Sequence, residues 1–251
     1  MYVDDAGSGP PIVAIHGLGG GAYFFGGLAR RLEDEFRVIS IDLPGTGRSP
    51  ATVYSMESWV ADLGRLVAER VKTPVVLLGH SMGTIIALHA WAAWPEHIRG
   101  LVFVGGLPRV RPFIHDRLSK RIEALTGVRE LTGWGRQVSP GVFSQRMLHE
   151  HPEVVASFER LFEVNSVDTY IRCCRILLGA NAEAIVPNVR IRSLAITGED
   201  DQYAPPADVV AFARSIPSQP AVETFPNCGH LPFLEVPDRF ATVVRAFLRT
   251  C

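Results

Sequence analysis

The stretch VVLLGHSMGTIIALHAW, residues 75–91, decides the fold. It is an apolar run without polar alternation, then Gly-His-Ser-Met-Gly, then a second apolar run long enough for a helix. A short apolar run that ends at glycine reads as a strand buried on both faces. Ser81 then stands between a buried strand and a buried helix, at the carboxyl edge of a parallel sheet, where such folds gather their sites. Gly79 and Gly83 flank it at two residues on either side. A strand that turns at once into a helix crowds its neighbours; small flanking residues relieve the crowding and lift the hydroxyl outward. The competing reading is a tight turn whose serine only caps the helix.

Working outward, buried strands are expected at residues 12–17 (IVAIHG), 37–43 (RVISIDL), 74–79 (PVVLLG), 98–106 (IRGLVFVGG), 192–198 (RSLAITG) and 221–226 (AVETFP). Helical patterns fall between them, near 23–33, 56–70, 82–93, 207–215 and 237–248. Strands alternating with helices predict an α/β protein with a mostly parallel, doubly wound sheet. The alternation stops across residues 107–187, where helical patterns recur at 113–125, 141–149, 152–164 and 168–178. That segment is expected to be a helical cap, or lid, inserted after the fourth visible strand, with residues 1–106 and 188–251 forming the core.

Composition narrows the partners. The chain has 251 residues, 47% hydrophobic and 20% charged, with a formal net charge of -1, so neither nucleic acid nor an anionic membrane surface is expected as a partner. Cys173, Cys174, Cys228 and Cys251 form neither a disulfide framework nor a CxxC metal pattern, which fits a reducing cytoplasm. The opening residues MYVDDAGSGPP have no signal-peptide core, and no uncharged apolar stretch is long enough to cross a bilayer. The expected state is a monomer or homodimer.

A serine hydroxyl is a poor nucleophile unless a base takes its proton, a third group orients that base, and donors receive the oxyanion. On this architecture the order along the chain should be serine, acid, histidine. GEDDQYAPP (198–206) offers Glu199, Asp200 and Asp201 just past the fifth visible strand, and NCGHLPF (227–233) offers His230 just past the sixth. All of these loops leave the same sheet edge as Ser81. The N–H of Met82, the residue after the nucleophile, is the first expected oxyanion donor.

With these motifs assembled, the chain resembles the α/β-hydrolase fold family, and specifically a lidded serine esterase or lactonase. The resemblance rests on HGLGGG (16–21), DLPGTGRS (42–49), GHSMG (79–83), GEDDQYAPP (198–206) and GHLPFLEVP (229–237). It implies Ser81 as nucleophile, His230 as base and Asp201 as the acid of a Gly-x-x-Asp-x-x-x-Pro loop, with Asp200 the near alternative. It also implies Leu18 as the second oxyanion donor and His16 as a support for that loop. The implied substrate is a small-molecule ester or lactone, with no metal and no cofactor. Since only MYVDD precedes the Gly-Ser-Gly turn, the first strand of the family's usual sheet is expected to be shortened or absent.

Other readings compete. GLGGGA after a strand, with Asp42 ending the next, also matches a dinucleotide-binding fingerprint, but that leaves GHSMG, Asp201 and His230 unexplained. A ligand receptor on the hydrolase fold is weighed against the intact constellation. Enol-lactone hydrolysis, carbon–carbon bond hydrolysis and cofactor-free perhydrolysis are neighbouring chemistries on one triad, and GHSMGT leading into HAWAAWPEHIRGLVFVGGLP resembles the enol-lactonase branch. Haloalkane dehalogenation needs a carboxylate where Ser81 stands. Phe113, Trp134, Phe143, Phe162 and Leu231 are expected to line the acyl pocket. Arg109, Arg111, Arg117, Lys120 and Arg121 form a basic cluster, read either as a solvated face or as an entrance for carboxylate substrates, with Arg109 and Arg111 its leading residues.

Overall fold

A computed structural model describes residues 1–50 and 54–251. In chain order its elements are β1 (Tyr2–Ala6), β2 (Pro11–Ile15), α1 (Gly26–Leu32), β3 (Arg37–Asp42), α2 (Met56–Arg65), β4 (Val75–His80), α3 (Met82–Ala93), β5 (Ile98–Val104), α4 (Pro112–Leu125), α5 (Trp134–Val142), α6 (Gln145–Glu150), α7 (Pro152–Glu163), α8 (Val167–Gly179), β6 (Ser193–Gly198), α9 (Pro206–Ser215), β7 (Ala221–Phe225), α10 (Pro232–Glu235) and α11 (Pro237–Leu248). The strands form one seven-stranded sheet in the order β1-β3-β2-β4-β5-β6-β7. All neighbours are parallel except β1, which runs antiparallel to β3. β2, β4 and β6 are buried at every residue, as continuous apolar runs covered on both faces must be. Among the described residues no helix is long and apolar enough to cross a membrane.

Two features differ from the pattern read in the sequence. The MYVDD segment, which is not among the expected strands, forms most of β1, whose five residues pair with β3 from Tyr2 opposite Asp42 to Ala6 opposite Val38. It escaped notice because it is an edge strand with exposed Asp4 and Asp5, and charge on an edge strand blocks further pairing rather than advertising a strand. Within 107–192, the helix expected at 141–149 is two helices, α5 and α6, which meet at Phe143 and Ser144. Pro140 lies inside α5, and a proline reads as a helix breaker although this helix absorbs it near its end.

The junction of β4 and α3 shows why glycine is needed there. A Cβ on Gly79 would collide with the Gly83 carbonyl, and a Cβ on Gly83 would collide with the Ile15 carbonyl at the end of β2. Strand and helix thus approach backbone to backbone. Between them Ser81 adopts φ 52, ψ -116, a conformation that costs an L-residue about 1–3 kcal/mol and is held only where its surroundings impose it. The surroundings do so through hydrogen bonds: Ser81 N–H donates to Val104 O at 2.9 Å, and the Thr84 hydroxyl donates to Gly79 O at 2.9 Å. α3 is apolar all round and is buried through the middle of the molecule, so the turn cannot relax by shifting the helix.

Candidate active site

Four loops at the carboxyl edge of the sheet converge. The loop after β4 carries Ser81, that after β6 carries Asp201, that after β7 carries His230, and that after β2 carries Leu18. His230 Nδ1 lies 2.9 Å from Asp201 Oδ2, with both residues buried. The other oxygen, Asp201 Oδ1, accepts the N–H groups of Tyr203 at 2.8 Å and Ala204 at 2.9 Å. The carboxylate is therefore fixed at both ends. Asp200 and Glu199 are exposed. Gly105, at φ 52 just past β5, packs under this pair; a Cβ there would stand 3.0 Å from both Asp201 Oδ2 and His230 Nδ1.

Ser81 and His230 open onto one cavity of about 810 Å³, counted out to its open mouth. Leu18 and Met82 line it as well. Met82 is the first residue of α3, where no intrahelical acceptor exists for its N–H. The Leu18 N–H likewise finds no protein acceptor among the described residues. The cavity is otherwise mostly apolar, and its far wall is built by α4, α5, α7 and α8.

The apolar residues expected in the pocket divide. Phe162 and Leu231 line the cavity, whereas Phe113 is 49% exposed on the outside of α4. Trp134 packs on the core away from the cavity, and Phe143 lies behind the wall, edge-on to Phe158 at 5.2 Å. The inward face of α4 is Ile114, Leu118 and Arg121, so Phe113 is one residue out of phase. Tyr170 and Tyr203 also line the cavity and were not anticipated.

The two histidines within the motifs are neighbours of the chemistry. His16 is buried; its Nδ1 sits 2.8 Å from Gly17 O and its Nε2 accepts the Leu43 N–H at 3.1 Å, which ties the loop after β2 to that after β3. Burial lowers its pKa, so it stays neutral. His80 Nε2 lies 3.0 Å from His230 O, and the two rings are 4.7 Å apart. Burial first, and the nearby His230 second, hold His80 well below the ordinary histidine range, so the ring is neutral and adds no charge beside the serine.

Asp42 is buried and spent on backbone: it accepts from Ala22 N at 2.6 Å and Arg48 N at 2.8 Å. The acid that a dinucleotide site would aim at a ribose is thus unavailable, and with it goes the second half of that fingerprint.

Sequence reasoning missed Glu235. This buried carboxylate accepts from Ser144 N at 3.1 Å, Ser144 Oγ at 2.6 Å and Gly229 N at 2.9 Å, and the His230 N–H donates to Val142 O at 2.7 Å. The α5–α6 corner is thereby clamped to the loop that carries His230. Desolvation pushes the Glu235 carboxyl up, against the opposing pull of these donors. Glu235→Ala strands three buried donors and is expected to cost about 2–4 kcal/mol in urea unfolding. Because the folded pKa is raised, the folded state holds this proton more tightly than the unfolded chain does. That contribution is complete below the ordinary glutamate pKa and fades as pH rises through the folded value. The gap between wild type and variant should therefore be wider at pH 4.5 than at pH 7.5, about the ordinary and neutral limits of a glutamate titration. An equal gap at both would show that Glu235 titrates normally.

Known proteins agree with this architecture. A pimeloyl-[acyl-carrier protein] methyl ester esterase of Chromobacterium violaceum is 27% identical over 257 residues, covering 100% of this chain and 98% of its own. The same-named esterase of Stenotrophomonas maltophilia is 28% identical over 274 residues, covering 99% and 96%. Among solved structures, a thermophilic esterase from Thermogutta terrifontis, determined with malate bound, superposes with a TM-score of 0.90 at 26% identity, covering 99% of this chain and 93% of that one. The profile of the alpha/beta hydrolase fold matches residues 10–237, which span β2 to β7, the helical insertion and every loop of the site. On that match and on the sheet that carries it, this chain belongs to the alpha/beta hydrolase fold family.

Proposed function

We propose that this chain is a serine hydrolase that cleaves small-molecule carboxylic esters through an acyl-enzyme on Ser81. The observation that carries the reading is the buried Asp201–His230 pair at 2.9 Å, whose histidine opens together with Ser81 onto one mostly apolar cavity. Asp201 takes the Nδ1 side of the imidazole, so the Nε2 lone pair is left for the serine proton. Ser81 Oγ attacks the ester carbonyl carbon as His230 accepts its proton. The carbonyl oxygen becomes an oxyanion between the N–H groups of Leu18 and Met82, and the N-terminus of α3 favours that charge. Collapse expels the alcohol, which takes the proton back from His230. Water then attacks the acyl-enzyme with His230 again as base, and the acid product leaves. Names of relatives support the ester class: two full-length relatives at 27% and 28% identity and a structural neighbour at 26% are esterases.

Residues 107–187 act in this reading as a cap that sets substrate choice. In support, α4, α5, α7 and α8 supply the wall facing Ser81, and the α5–α6 corner touches the His230 loop. The test is a panel of p-nitrophenyl esters of rising acyl length, with lactones as a second arm. Saturable ester hydrolysis that disappears in Ser81→Ala is expected. Tight ligand binding with turnover of no ester or lactone would replace the enzyme with a receptor.

A further inference from the structure

The basic cluster at the start of the helical insertion is mostly self-neutralised. Arg109 pairs with Glu183 at 2.8 Å, Arg111 with Asp208 at 3.1 Å and Lys120 with Asp116 at 2.9 Å. Arg109 and Arg111, the residues expected to lead a carboxylate entrance, are therefore already paired with acids of the chain. Arg121 is different. It is half-buried on the inward face of α4 and lines the cavity that holds Ser81 and His230. Among the described residues no carboxylate lies within ion-pair distance of it. Its Nη1 donates to the Tyr170 hydroxyl at 2.8 Å, and the Tyr203 hydroxyl lies close to the same guanidinium. A guanidinium has five N–H donors, so most of this one is unspent. Tyr170 cannot balance the charge, because burial pushes its phenol up and keeps it neutral.

The Tyr203 hydroxyl of the same cavity is buried beside this guanidinium and completes no hydrogen bond of normal geometry among the described residues, and its ring lies 5.0 Å from the His230 ring, tilted by 35°. Arg117, one turn before Arg121, has its guanidinium 4.8 Å from the centre of the Tyr203 ring, which adds positive field on that side. A cation withdrawn from water without an anion is costly, and folds retain one where a ligand supplies the missing charge.

We propose that Arg121, with the Tyr203 hydroxyl, is a carboxylate-binding subsite, and that the substrate is an ester bearing a free carboxylate, such as a half-ester of a dicarboxylic acid. The inference rests on the ester hydrolase reading and narrows its substrate class. The carboxylate would take two guanidinium N–H bonds side by side, the geometry that planar arginine offers and lysine does not. Because the subsite is inside the cavity, its effect should survive added salt, unlike that of a solvated basic entrance.

The experiment compares monomethyl with dimethyl esters of the same linear dicarboxylic acids, from four to eight carbons. Wild type is expected to favour the monomethyl ester in kcat/KM. Arg121→Gln should remove that preference, lowering kcat/KM for the monomethyl ester by roughly 10- to 100-fold, chiefly through KM, while p-nitrophenyl acetate hydrolysis stays within about twofold. Arg121→Lys should recover only part of the loss. Arg121→Gln is expected to melt close to wild type, since loss of an unpaired charge offsets loss of the bond to the Tyr170 hydroxyl. Equal use of mono- and dimethyl esters by wild type, or parallel loss of charged and neutral substrates in Arg121→Gln, would overturn the proposal. If wild type cleaves no ester at all, the hydrolase reading fails and calorimetry of Ser81→Ala with monomethyl adipate decides the subsite. Binding that Arg121→Gln abolishes upholds it, and binding indifferent to Arg121 overturns it.

Discussion

Ser81→Ala is expected to lower kcat for every ester by roughly 10⁵- to 10⁶-fold, the scale on which loss of a serine nucleophile acts. The substitution is clean on structural grounds. Among the described residues the Ser81 side chain makes no hydrogen bond, and alanine inherits the same backbone conformation, held by the Ser81 N–H bond to Val104 O at 2.9 Å. The fold, the cavity and the Asp201–His230 pair should all persist, so substrate affinity should change far less than turnover. Steady-state rates and thermal melts on the same preparation check both halves. A variant that melts normally and still turns over would mean that the hydroxyl is a bystander.

Asp201→Asn is expected to lower kcat by about 10⁴-fold, while Asp200→Asn stays within about threefold of wild type. The hydrogen bonds explain the size of the first effect. Tyr203 N–H and Ala204 N–H both donate to Oδ1 at 2.8 and 2.9 Å, so they will select the carbonyl oxygen of an asparagine. Its NH₂ group is then turned toward His230 Nδ1, which must accept instead of donate. The ring proton moves to Nε2, and the base can no longer take the serine proton. Asp200 is exposed, and among the described residues its side chain makes no hydrogen bond; its backbone N–H donates to Cys228 O at 2.8 Å. Reversal of the two effects would move the acid by one residue and break the geometry argued above.

Much of this was legible in the chain because it is written in short-range terms. Buried parallel strands are continuous apolar runs, and their ends fix which loops share an edge, so Ser81, His230 and the acids at 199–201 group together in the sequence, while the choice of Asp201 among those acids rests on the family's Gly-x-x-Asp-x-x-x-Pro loop. Met82 follows from its position after Ser81 and Leu18 from the family resemblance, since the proposed working group of each is a backbone N–H. The insertion resisted for the opposite reason. Its helices are amphipathic, and a shift of one residue in phase moves a side chain by about 100° around the axis. That shift separates exposed Phe113 from Ile114, which lines the cavity. Arg109 and Arg121 look alike as letters. Only the structure shows one paired with Glu183 and the other facing the cavity without an acid. Glu235 was hidden because its three partners lie six and 91 residues away in sequence.

The most direct test of the account is the identity of the atom that becomes acylated. Wild type and Ser81→Ala should be treated with a fluorophosphonate ester, a phosphorus analogue of the tetrahedral intermediate, and analysed by intact and peptide mass spectrometry. One adduct per chain is expected, on the peptide that contains Ser81, with activity lost in proportion to labelling. His230→Ala should label far more slowly, and Ser81→Ala not at all. An adduct on another residue that abolishes activity, or full activity in a chain fully labelled at Ser81, would contradict it.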